Sequence, residues 1–518
     1  MSARTARVAR VDAGDPAEAL ITRTERRRSL VSDMLNGDRA RLGQFFTPSR
    51  AAALIADMPR LPTTGVLRVL DPGAGVGSLT AALIARILRE APGLRVEVLA
   101  VEVDPTVAPH LQETLADCSQ VAEAIGTQVT TTQLTGDLIT EATGFERHAG
   151  PLAAPFDLVV MNPPYRKLGA QSMERQALVA DGIDCPNLYC TFLAAGILAL
   201  KPQGQLVAIT PRSFANGPYF GAFRRFFLAE MTIDRLHVFE SRSTVFADSG
   251  VLQENIVFSA TRSSEHGEVM LSVSQGHTDQ ATIRKVPYSA IVTPGDPNQF
   301  IHIPAGDDDL AAAEIFAGLP CRLPDLDLQV STGKVVDFRA LDYLLDQPAN
   351  GSVPLIYPGN LRDGQVRWPL PIRKAQALIN CTETRKLMLP GERYVLVKRF
   401  SSKEERRRVV AAVYDPEDIS ENEVGFENHL NVFHHRDRGL GANLARGLCL
   451  WFNSSIVDAF FRTFSGHTQV NATDLRSLRY PSREQLIQLG EALGHGSWPD
   501  QDKTDSLVNL HILSQEKS

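Results

Sequence analysis

Between residues 67 and 261, short apolar runs alternate with segments of helical periodicity. The runs LRVL, RVEVLAVEV, FDLVVM and QLVAIT are typical of buried strands, and segments such as SLTAALIARILRE and NLYCTFLAAGILALK separate them. Parallel strands need a crossover connection of about this length, which is usually a helix. The alternation therefore predicts an α/β fold with a doubly wound, Rossmann-like parallel sheet.

A chain of 518 residues is too long for one core and predicts more than one domain. We divide it into an N-terminal helical segment (1–40), the α/β domain (41–261), a connecting region with a hairpin-like stretch (262–329) and a mixed α+β domain that closes with a helix (330–518). No apolar run reaches the roughly 20 residues that cross a bilayer, and the basic N-terminus lacks the apolar core of a secretory signal. These features predict a cytoplasmic protein with no membrane partner.

A glycine-rich turn follows the first predicted strand in VLRVLDPGAGVGSLTAALI. Asp71 ends the strand, the glycines are Gly73, Gly75 and Gly77, and a helix is predicted to begin at Ser78. Glycines at such a turn allow close approach of the backbone to a ligand, and the free N–H groups of the helix start favour phosphate or nucleotide groups. The spacing differs from the dinucleotide pattern GxGxxG, so the turn alone indicates only a nucleotide-like ligand.

Acidic residues follow the next two predicted strands. VEVLAVEVDP carries Glu102 and Asp104 near its end, about 25 residues after the glycines, where an acidic residue can accept hydrogen bonds from ribose hydroxyls. Asp137 follows the β-prone segment TQVTTTQL in the same way. Either Glu102 or Asp137 alone is compatible with a solvated loop, but together with the glycine turn they favour a ligand site.

The fourth predicted strand, FDLVVM, stops at Asn162-Pro163-Pro164-Tyr165. Two consecutive prolines cannot continue a strand, so the chain leaves it in a rigid, extended conformation. Taken alone, this tip is compatible with a stiff turn whose tyrosine packs on the core. Its predicted place at the carboxyl edge of the sheet, beside the glycine turn, favours a functional tip.

The ordered segments GQFFTPSRAAALIADM, LDPGAGVGSLT, AVEVDP, GDL and NPPY resemble those of the gamma-type N6-adenine DNA methyltransferases of restriction-modification systems. The resemblance covers residues 40–260 with sharp motifs. Between 330 and 481 it is weaker and rests on segments such as STGKVVDFR, YPGN and SGHTQVNATDLRSLRYP. It implies S-adenosylmethionine as cofactor, double-stranded DNA as substrate and a target-recognition role for the final domain.

The resemblance also implies how the cofactor is held. It assigns the FTP segment, Phe46, Thr47 and Pro48, to the methionine side of the pocket. Asp71 and the three glycines would line the turn beside it. Glu102 would bind the ribose hydroxyls, and Asp137 the adenine amino group of the cofactor.

The NPPY tip would carry the transfer chemistry. The side-chain oxygen of Asn162 and the carbonyl of Pro163 can each accept one N–H of an adenine amine, which directs its lone pair at the methyl donor. Pro164 would stiffen the tip. The adenine has to be flipped out of the duplex, and we expect it to stack between Tyr165 and an aromatic from a later loop, for which Phe246 is the best match.

Charge is segregated along the chain. Residues 361–408 carry 13 Lys+Arg against 5 Asp+Glu, a local balance of +8 in a protein of net charge −7. A positive surface of this kind is what phosphate binding requires. The densest run, KRFSSKEERRR, supplies the predicted DNA-binding residues Lys398, Arg399, Lys403, Arg406 and Arg407, although local pairing with its glutamates would instead make it a solvated face.

Metal chemistry is not expected. Six scattered cysteines form no CxxC pair, and His429, His434 and His435 lack partners at zinc-site spacing, so structural roles are favoured. A restriction endonuclease, if the protein has a cognate one, is expected to act as a separate partner. Two alternatives stay open: an RNA adenine or protein-glutamine methyltransferase, and a catalytically silent DNA-binding specificity subunit.

Overall fold

The fold is taken from a computed structural model, which describes residues 15–35, 46–142, 152–179, 182–239, 254–274, 276, 281–401, 405–464, 469–494 and 498–514. The chain divides into two compact units, Met1–Ile291 and Val292–Ser518, called unit 1 and unit 2. Phe246 and Lys403 lie outside the described residues.

In the described part of unit 1, nine strands form one sheet in the order β3-β2-β1-β4-β5-β7-β6-β8-β9. The strands are β1 (Val66–Pro72), β2 (Arg95–Glu102), β3 (Val129–Thr135), β4 (Phe156–Met161), β5 (Leu200–Pro211), β6 (Thr232–Phe239), β7 (Asn255–Thr261), β8 (Glu268–Ser274) and β9 (Thr282–Pro287). β1 to β5 pair in parallel, whereas β7 runs antiparallel to β5 and β6. The strand order reverses between β1 and β4, which opens a crevice at their carboxyl ends.

The helices of unit 1 precede, connect or follow these strands. They are α1 (Pro16–Met34), α2 (Ser49–Ala56), α3 (Ser78–Glu90), α4 (Ala108–Ile125), α5 (Leu138–Ala142), α6 (Met173–Val179), α7 (Leu188–Ala199), α8 (Gly221–Glu230) and α9 (Tyr288–Ile291). The alternation of strands and helices confirms the predicted doubly wound sheet.

The helix predicted near the N-terminus is α1, and it packs on the α/β layer. Asp15 caps it by accepting a hydrogen bond from the Ala17 N–H at 3.0 Å. Arg27 reaches α4, where it pairs with Glu113 at 2.9 Å and Asp117 at 2.7 Å. Helix α1 therefore belongs structurally to unit 1.

The sheet extends beyond residue 261, where we place the end of the α/β domain. The hairpin-like stretch of the connecting region forms β8 and β9, which pair antiparallel, and β8 also pairs in parallel with β6. Val269, Leu271 and Val273 alternate along β8 and are buried. This period-two apolar face is buried once the hairpin has joined the sheet, which favours that pairing.

Unit 2 is a mixed α+β structure, also as predicted. Its described residues form a two-stranded sheet (β10-β22), a six-stranded sheet (β11-β21-β18-β19-β15-β14) and a five-stranded sheet (β12-β16-β13-β20-β17). The strands are β10 (Cys321–Arg322), β11 (Gln329–Thr332), β12 (Leu344–Leu345), β13 (Ser352–Ile356), β14 (Leu361–Arg362), β15 (Gln365–Val366), β16 (Ala377–Ile379), β17 (Met388–Pro390), β18 (Tyr394–Lys398), β19 (Ala411–Tyr414), β20 (Glu423–Phe426), β21 (Leu430–His434) and β22 (Arg479–Tyr480).

The helices of unit 2 are α10 (Asp307–Gly318), α11 (Ala442–Phe452), α12 (Ser455–Phe464), α13 (Ala472–Ser477), α14 (Arg483–Leu493) and α15 (Gln501–Val508). Of these helices, α11 and α13 contact the six-stranded sheet and the others pack mainly on helices. The largest core of this unit joins Trp451 of α11 to Phe433 and Val395 of the sheet. Among the described helices of both units, none is long and apolar enough to cross a membrane.

Candidate active site

The glycine-rich turn leads from β1 into α3. Gly73, Gly75 and Gly77 have φ of +70°, +56° and +84°, a region that side chains disfavour. A Cβ atom at Gly75 would also lie 3.1 Å from the ring of Phe46, and one at Gly77 would lie 3.0 Å from the Cγ2 of Thr114. Glycine is therefore needed here for backbone conformation and for space.

Glu102 joins the end of β2 to this turn. Its side chain is 4% exposed; Oε2 accepts a hydrogen bond from the Gly75 N–H at 2.8 Å, and Oε1 accepts one from the Asp104 N–H at 2.9 Å. Burial raises the pKa of this carboxyl above its ordinary value, while the two N–H donors act in the opposite direction. The carboxylate is thus held rigidly beside the glycine turn.

Asp71 lies at the carboxyl end of β1 and is 1% exposed. The Thr80 hydroxyl donates to its Oδ2 at 2.6 Å, whereas Oδ1 has no hydrogen-bond partner among the described residues. Burial raises the pKa of Asp71 to about 7. A buried carboxyl oxygen without a partner is costly, and Asp71 lines a cleft in which a ligand could supply the missing donor.

The cleft encloses about 180 Å³ and opens at the carboxyl ends of β1, β2 and β4. Most of the residues predicted for the cofactor and for transfer line it: Phe46, Thr47, Asp71, Gly73, Gly75, Glu102, Asp137, Asn162 and Pro164. Four predicted residues are not among those that line it: Pro48, Gly77, Pro163 and Tyr165. Pro48 precedes α2 and its carbonyl accepts a hydrogen bond from Ala52, so its role is to place the FTP segment.

The FTP segment and the NPPY tip meet directly. The side-chain N–H of Asn162 donates to the Thr47 hydroxyl at 3.0 Å. Phe46 packs with Val31 and Val76 beside this contact. Two motifs 115 residues apart therefore share one hydrogen bond, which fixes the plane of the Asn162 amide.

Tyr165 also fixes Asn162. Its hydroxyl lies 3.1 Å from the Asn162 Oδ1 and 3.2 Å from the carbonyl oxygen of Ile209 in β5. Burial raises the pKa of Tyr165, so the hydroxyl keeps its proton and acts as a donor. The ring packs edge-on against Tyr189, with centroids 6.2 Å apart.

Sequence reasoning missed several residues of the cleft: Ala74, Val76, Ser78, Leu79, Val103, Ile139, Arg166, Glu174, Leu188 and Phe192. Val103 is 52% exposed although apolar, and Ile139 lies two residues after Asp137. Their position next to predicted acidic residues was a usable signal. Phe192 had none, because α7 is apolar on every side and its lining face cannot be told from the others.

The predicted DNA-binding residues lie in unit 2 and differ in their surroundings. Lys398 pairs with Glu405 at 2.8 Å, Arg399 donates to the Asn428 carbonyl at 3.3 Å, and Arg406 is exposed. Arg407 instead turns inward and donates to Gln501 and to the Ser454 carbonyl. A side chain committed in this way stabilises the interior of unit 2, so we no longer assign Arg407 to DNA.

His429, His434 and His435 each make local polar contacts within unit 2, and His435 lies 3.3 Å from Asp327. His429 contacts Glu427 at 2.5 Å, and His434 contacts the Ser331 hydroxyl at 3.1 Å. The described residues contain no cluster of side chains suited to a metal ion.

Comparison with known proteins places the chain in a family. It is 39% identical over 477 residues to the Type II methyltransferase M.PstI of Providencia stuartii, covering 92% of this chain and 93% of that protein. The chain belongs to the Type II restriction-modification methyltransferases. Residues 112–246 of this methyltransferase also match the family described as Eco57I restriction-modification methylase. Both findings confirm the resemblance to restriction-modification methyltransferases.

Two further proteins are similar to this chain, one over part of its sequence and one in fold. The methyltransferase is 30% identical over 159 residues to a tRNA1(Val) (adenine(37)-N6)-methyltransferase of Shigella dysenteriae, covering 30% of this chain and 56% of that protein. Its fold is similar to that of the Type IIL restriction-modification enzyme MmeI, solved in complex with DNA, with a TM-score of 0.54 and 11% identity over 96% of this chain and 74% of that one.

Asp71 makes the stability of the methyltransferase depend on pH. Its pKa of about 7 in the folded state exceeds the ordinary value of 3.8, so its stabilising contribution is present below about pH 4 and is lost as the pH rises through 7. Asp71→Asn keeps an acceptor for Thr80 without the charge. Between pH 5 and 8, the variant should gain stability relative to the wild type by roughly 2–3 kcal/mol in denaturant unfolding. A difference that does not change with pH would contradict this.

Proposed function

We propose that the protein is a site-specific DNA methyltransferase that transfers a methyl group from S-adenosylmethionine to the N6 amino group of adenine in double-stranded DNA. The methylation would protect the DNA from a cognate restriction endonuclease. The observation that carries this proposal is the Asn162 amide, which is oriented from both ends by Thr47 and Tyr165 and lines the cleft beside Glu102. Family membership supports DNA as the substrate, and the similarity to an enzyme named for adenine N6 supports the target atom.

The cleft suits S-adenosylmethionine. Glu102 offers a fixed carboxylate to the ribose hydroxyls, and Asp71 offers an unpaired oxygen to the ammonium group of the methionine moiety. Asp137 and the apolar side chains of Val103 and Ile139 suit the adenine ring. When bound, the cofactor supplies an electrophilic methyl group on a sulfonium centre.

Asn162 and Pro163 position the nucleophile. The Asn162 Oδ1 has two lone pairs, so it can accept one N–H of the target amine while the Tyr165 hydroxyl occupies the other. The carbonyl of Pro163 accepts no hydrogen bond from any described residue and is free for the second N–H. An amine held by both oxygens directs its lone pair along one line, and no covalent enzyme intermediate is needed.

The target adenine reaches this site only when flipped out of the duplex. We retain Tyr165 and Phe246 as the stacking pair, and Lys398, Arg399, Lys403 and Arg406 as contacts to the DNA backbone. Tyr165 has a second role in bracing Asn162. Tyr165→Phe keeps the ring and removes only the brace, whereas Tyr165→Ala removes both, so activity should fall further in the alanine variant.

The test is methyl transfer from labelled S-adenosylmethionine to duplex DNA, structured RNA and protein in parallel. We expect label in DNA alone, and nucleoside digestion should place that label in N6-methyladenine. In DNA from cells that express the protein, the modified adenines should map to one sequence. Label in RNA or glutamine would overturn the proposal in favour of the other methyltransferases. DNA binding with no transfer to any substrate would favour the silent specificity subunit.

Gly75→Ala should weaken cofactor binding. The variant places a side chain on a left-handed backbone and against the ring of Phe46, which costs about 1–2 kcal/mol. It also displaces the N–H group that donates a hydrogen bond to Glu102. We expect the Kd for S-adenosylmethionine to rise about 10-fold in calorimetry. Gly93→Ala is the matched control, since its Cβ has open space and its φ is not positive, and it should bind as the wild type does.

A further inference from the structure

Unit 2 carries a surface on which aromatic and cationic side chains surround a buried carboxylate. It is built by residues 335–339, 398–400 and 427–429 together with Lys374. We name it the aromatic–basic surface, and its outward members are Phe338, Arg339, Lys374, Arg399, Phe400 and His429.

Backbone contacts make this surface continuous. Val335 forms a parallel bridge with Glu427, and its carbonyl accepts a hydrogen bond from the Asn428 N–H at 2.8 Å. On the other side, the Arg399 N–H donates to the His429 carbonyl at 2.8 Å. The segments on either side of residues 427–429 are therefore fixed with respect to each other.

The aromatic members are exposed and lie beside cations. Phe338 is 66% exposed, with the Arg339 guanidinium 5.4 Å from its ring centre. Phe400 is 37% exposed and lies 5.9 Å from the Arg399 guanidinium. Exposed rings beside cations suit stacking on bases and pairing with phosphates, which is how proteins contact nucleic acids.

Glu427 and His429 form the centre of the surface. Glu427 is fully buried, and its carboxylate accepts from the His429 backbone N–H at 2.9 Å and lies 2.5 Å from the His429 Nδ1. Because Nδ1 is held there, the ring nitrogen left for a ligand is Nε2, which in the neutral imidazole is an acceptor. The His429 side chain is 44% exposed, so a buried carboxylate serves to orient a solvent-facing imidazole.

Charge across the surface favours a polyanion. Its acidic groups are engaged by its own cations and imidazole, Asp337 by Lys374 at 2.8 Å and Glu427 by His429. The guanidinium of Arg339 adds a charge at the exposed edge, and Lys374 and Arg399 lie in the stretch 361–408, where basic residues exceed acidic ones. Duplex DNA matches this combination of flat aromatics, cations and an oriented acceptor.

We propose that the aromatic–basic surface contacts the target duplex, and that the Nε2 of His429 accepts a hydrogen bond from the exocyclic amine of a base in the recognition sequence. Adenine and cytosine present such an amine in the major groove. Arg339, Lys374 and Arg399 contact phosphates, and Phe338 and Phe400 pack on the DNA. This inference rests on the proposed function and adds to it the residues that select the site.

Binding to duplex DNA by the full-length protein tests the surface. Phe338→Ala and Phe400→Ala should weaken affinity about 5- to 100-fold. Arg339→Ala should lower the slope of log affinity against log salt by about one. The matched controls are Leu510→Ala, an exposed apolar residue (63%), and Lys503→Ala, an exposed cation, both on the C-terminal helical stretch; neither should change affinity or slope.

His429→Ala should relax specificity at one position of the recognition sequence by about 10-fold. Two measurements check this: the mapping of methylated adenines, and kcat/KM for single-base variants of the site. Since this change leaves Glu427 buried without its partner, the double variant Glu427→Gln/His429→Ala is measured beside it. Both should relax the same position. A loss of activity equal on all sites would assign His429 a structural role only and overturn its part in recognition.

The surface and the proposed function fail in distinguishable ways. If the wild type methylates DNA and all surface variants bind DNA as the two controls do, the surface inference is overturned and the function stands. If surface variants lose DNA binding while the wild type transfers no methyl group, the surface is supported and the proposed function is overturned. An unfolding transition of the full-length protein equal to that of the wild type shows that the variants, which all lie in unit 2, are folded.

Discussion

Asn162→Ala is expected to reduce methyl transfer by at least ~10²–10³-fold, with little change in affinity for DNA or cofactor. The side chain supplies an acceptor that positions the amine, and in the folded protein it is already oriented by Thr47 and Tyr165. Its loss therefore acts on kcat. Single-turnover transfer from labelled S-adenosylmethionine, beside equilibrium binding of both ligands, measures the two effects separately.

The neighbours of Asn162 provide graded controls. Thr47→Val removes the acceptor for the Asn162 N–H, and Tyr165→Phe removes the donor to its oxygen, each worth about 1 kcal/mol or roughly 5-fold. Both variants keep the amide itself, so their loss of transfer should stay at about 5-fold, far below that of Asn162→Ala. If Asn162→Ala lost no more activity than these two variants, the amide would not contact the amine and the proposed mechanism would fall.

The glycine turn and the acidic residues could be placed from sequence because of one topological rule. Asp71 and Glu102 lie in the carboxyl ends of β1 and β2, Asp137 and Asn162 follow β3 and β4, and the carboxyl ends of parallel strands share one edge of the sheet. Helices with a clear helical periodicity could also be predicted from sequence. The segments SLTAALIARILRE and REQLIQLGEAL coincide with α3 and α14. Local pattern and strand order thus suffice for the outline of the cleft.

Contacts between distant segments were not accessible from sequence. The bond between Thr47 and Asn162 depends on how the FTP segment folds back over the sheet, which no local pattern encodes. The direction of a side chain is equally hidden. Arg407 lies in a run of cations but points into unit 2, because a tally of charge contains no information on orientation. The same limit concealed the aromatic–basic surface, whose members are far apart in sequence.

Glu102→Ala is expected to raise the Kd for S-adenosylmethionine about 10- to 100-fold, since hydrogen bonds to a charged group contribute about 1.5–3 kcal/mol each. The carboxylate has two roles: it lines the cleft, where it can bind the cofactor, and it accepts hydrogen bonds from the N–H groups of Gly75 and Asp104. Glu102→Gln separates these two roles only in part. Its amide has one oxygen, so it can accept in the geometry of only one of the two N–H hydrogen bonds of the carboxylate.

Both Glu102 variants should therefore weaken cofactor binding in calorimetry, even though glutamine preserves the shape of the side chain. Glu113→Gln is the matched control: its carboxylate is 61% exposed on α4 and pairs with Arg27, away from the cleft, so the Kd should stay at the wild-type value. If Glu102→Gln also bound normally, the carboxylate would be no more than a brace for the glycine turn, and the ribose would have to be held by another group of the cleft. A Kd raised in both Glu102 variants and unchanged in the control instead places the negative charge of Glu102 in the cofactor site, where burial and two N–H donors have fixed it before any ligand arrives.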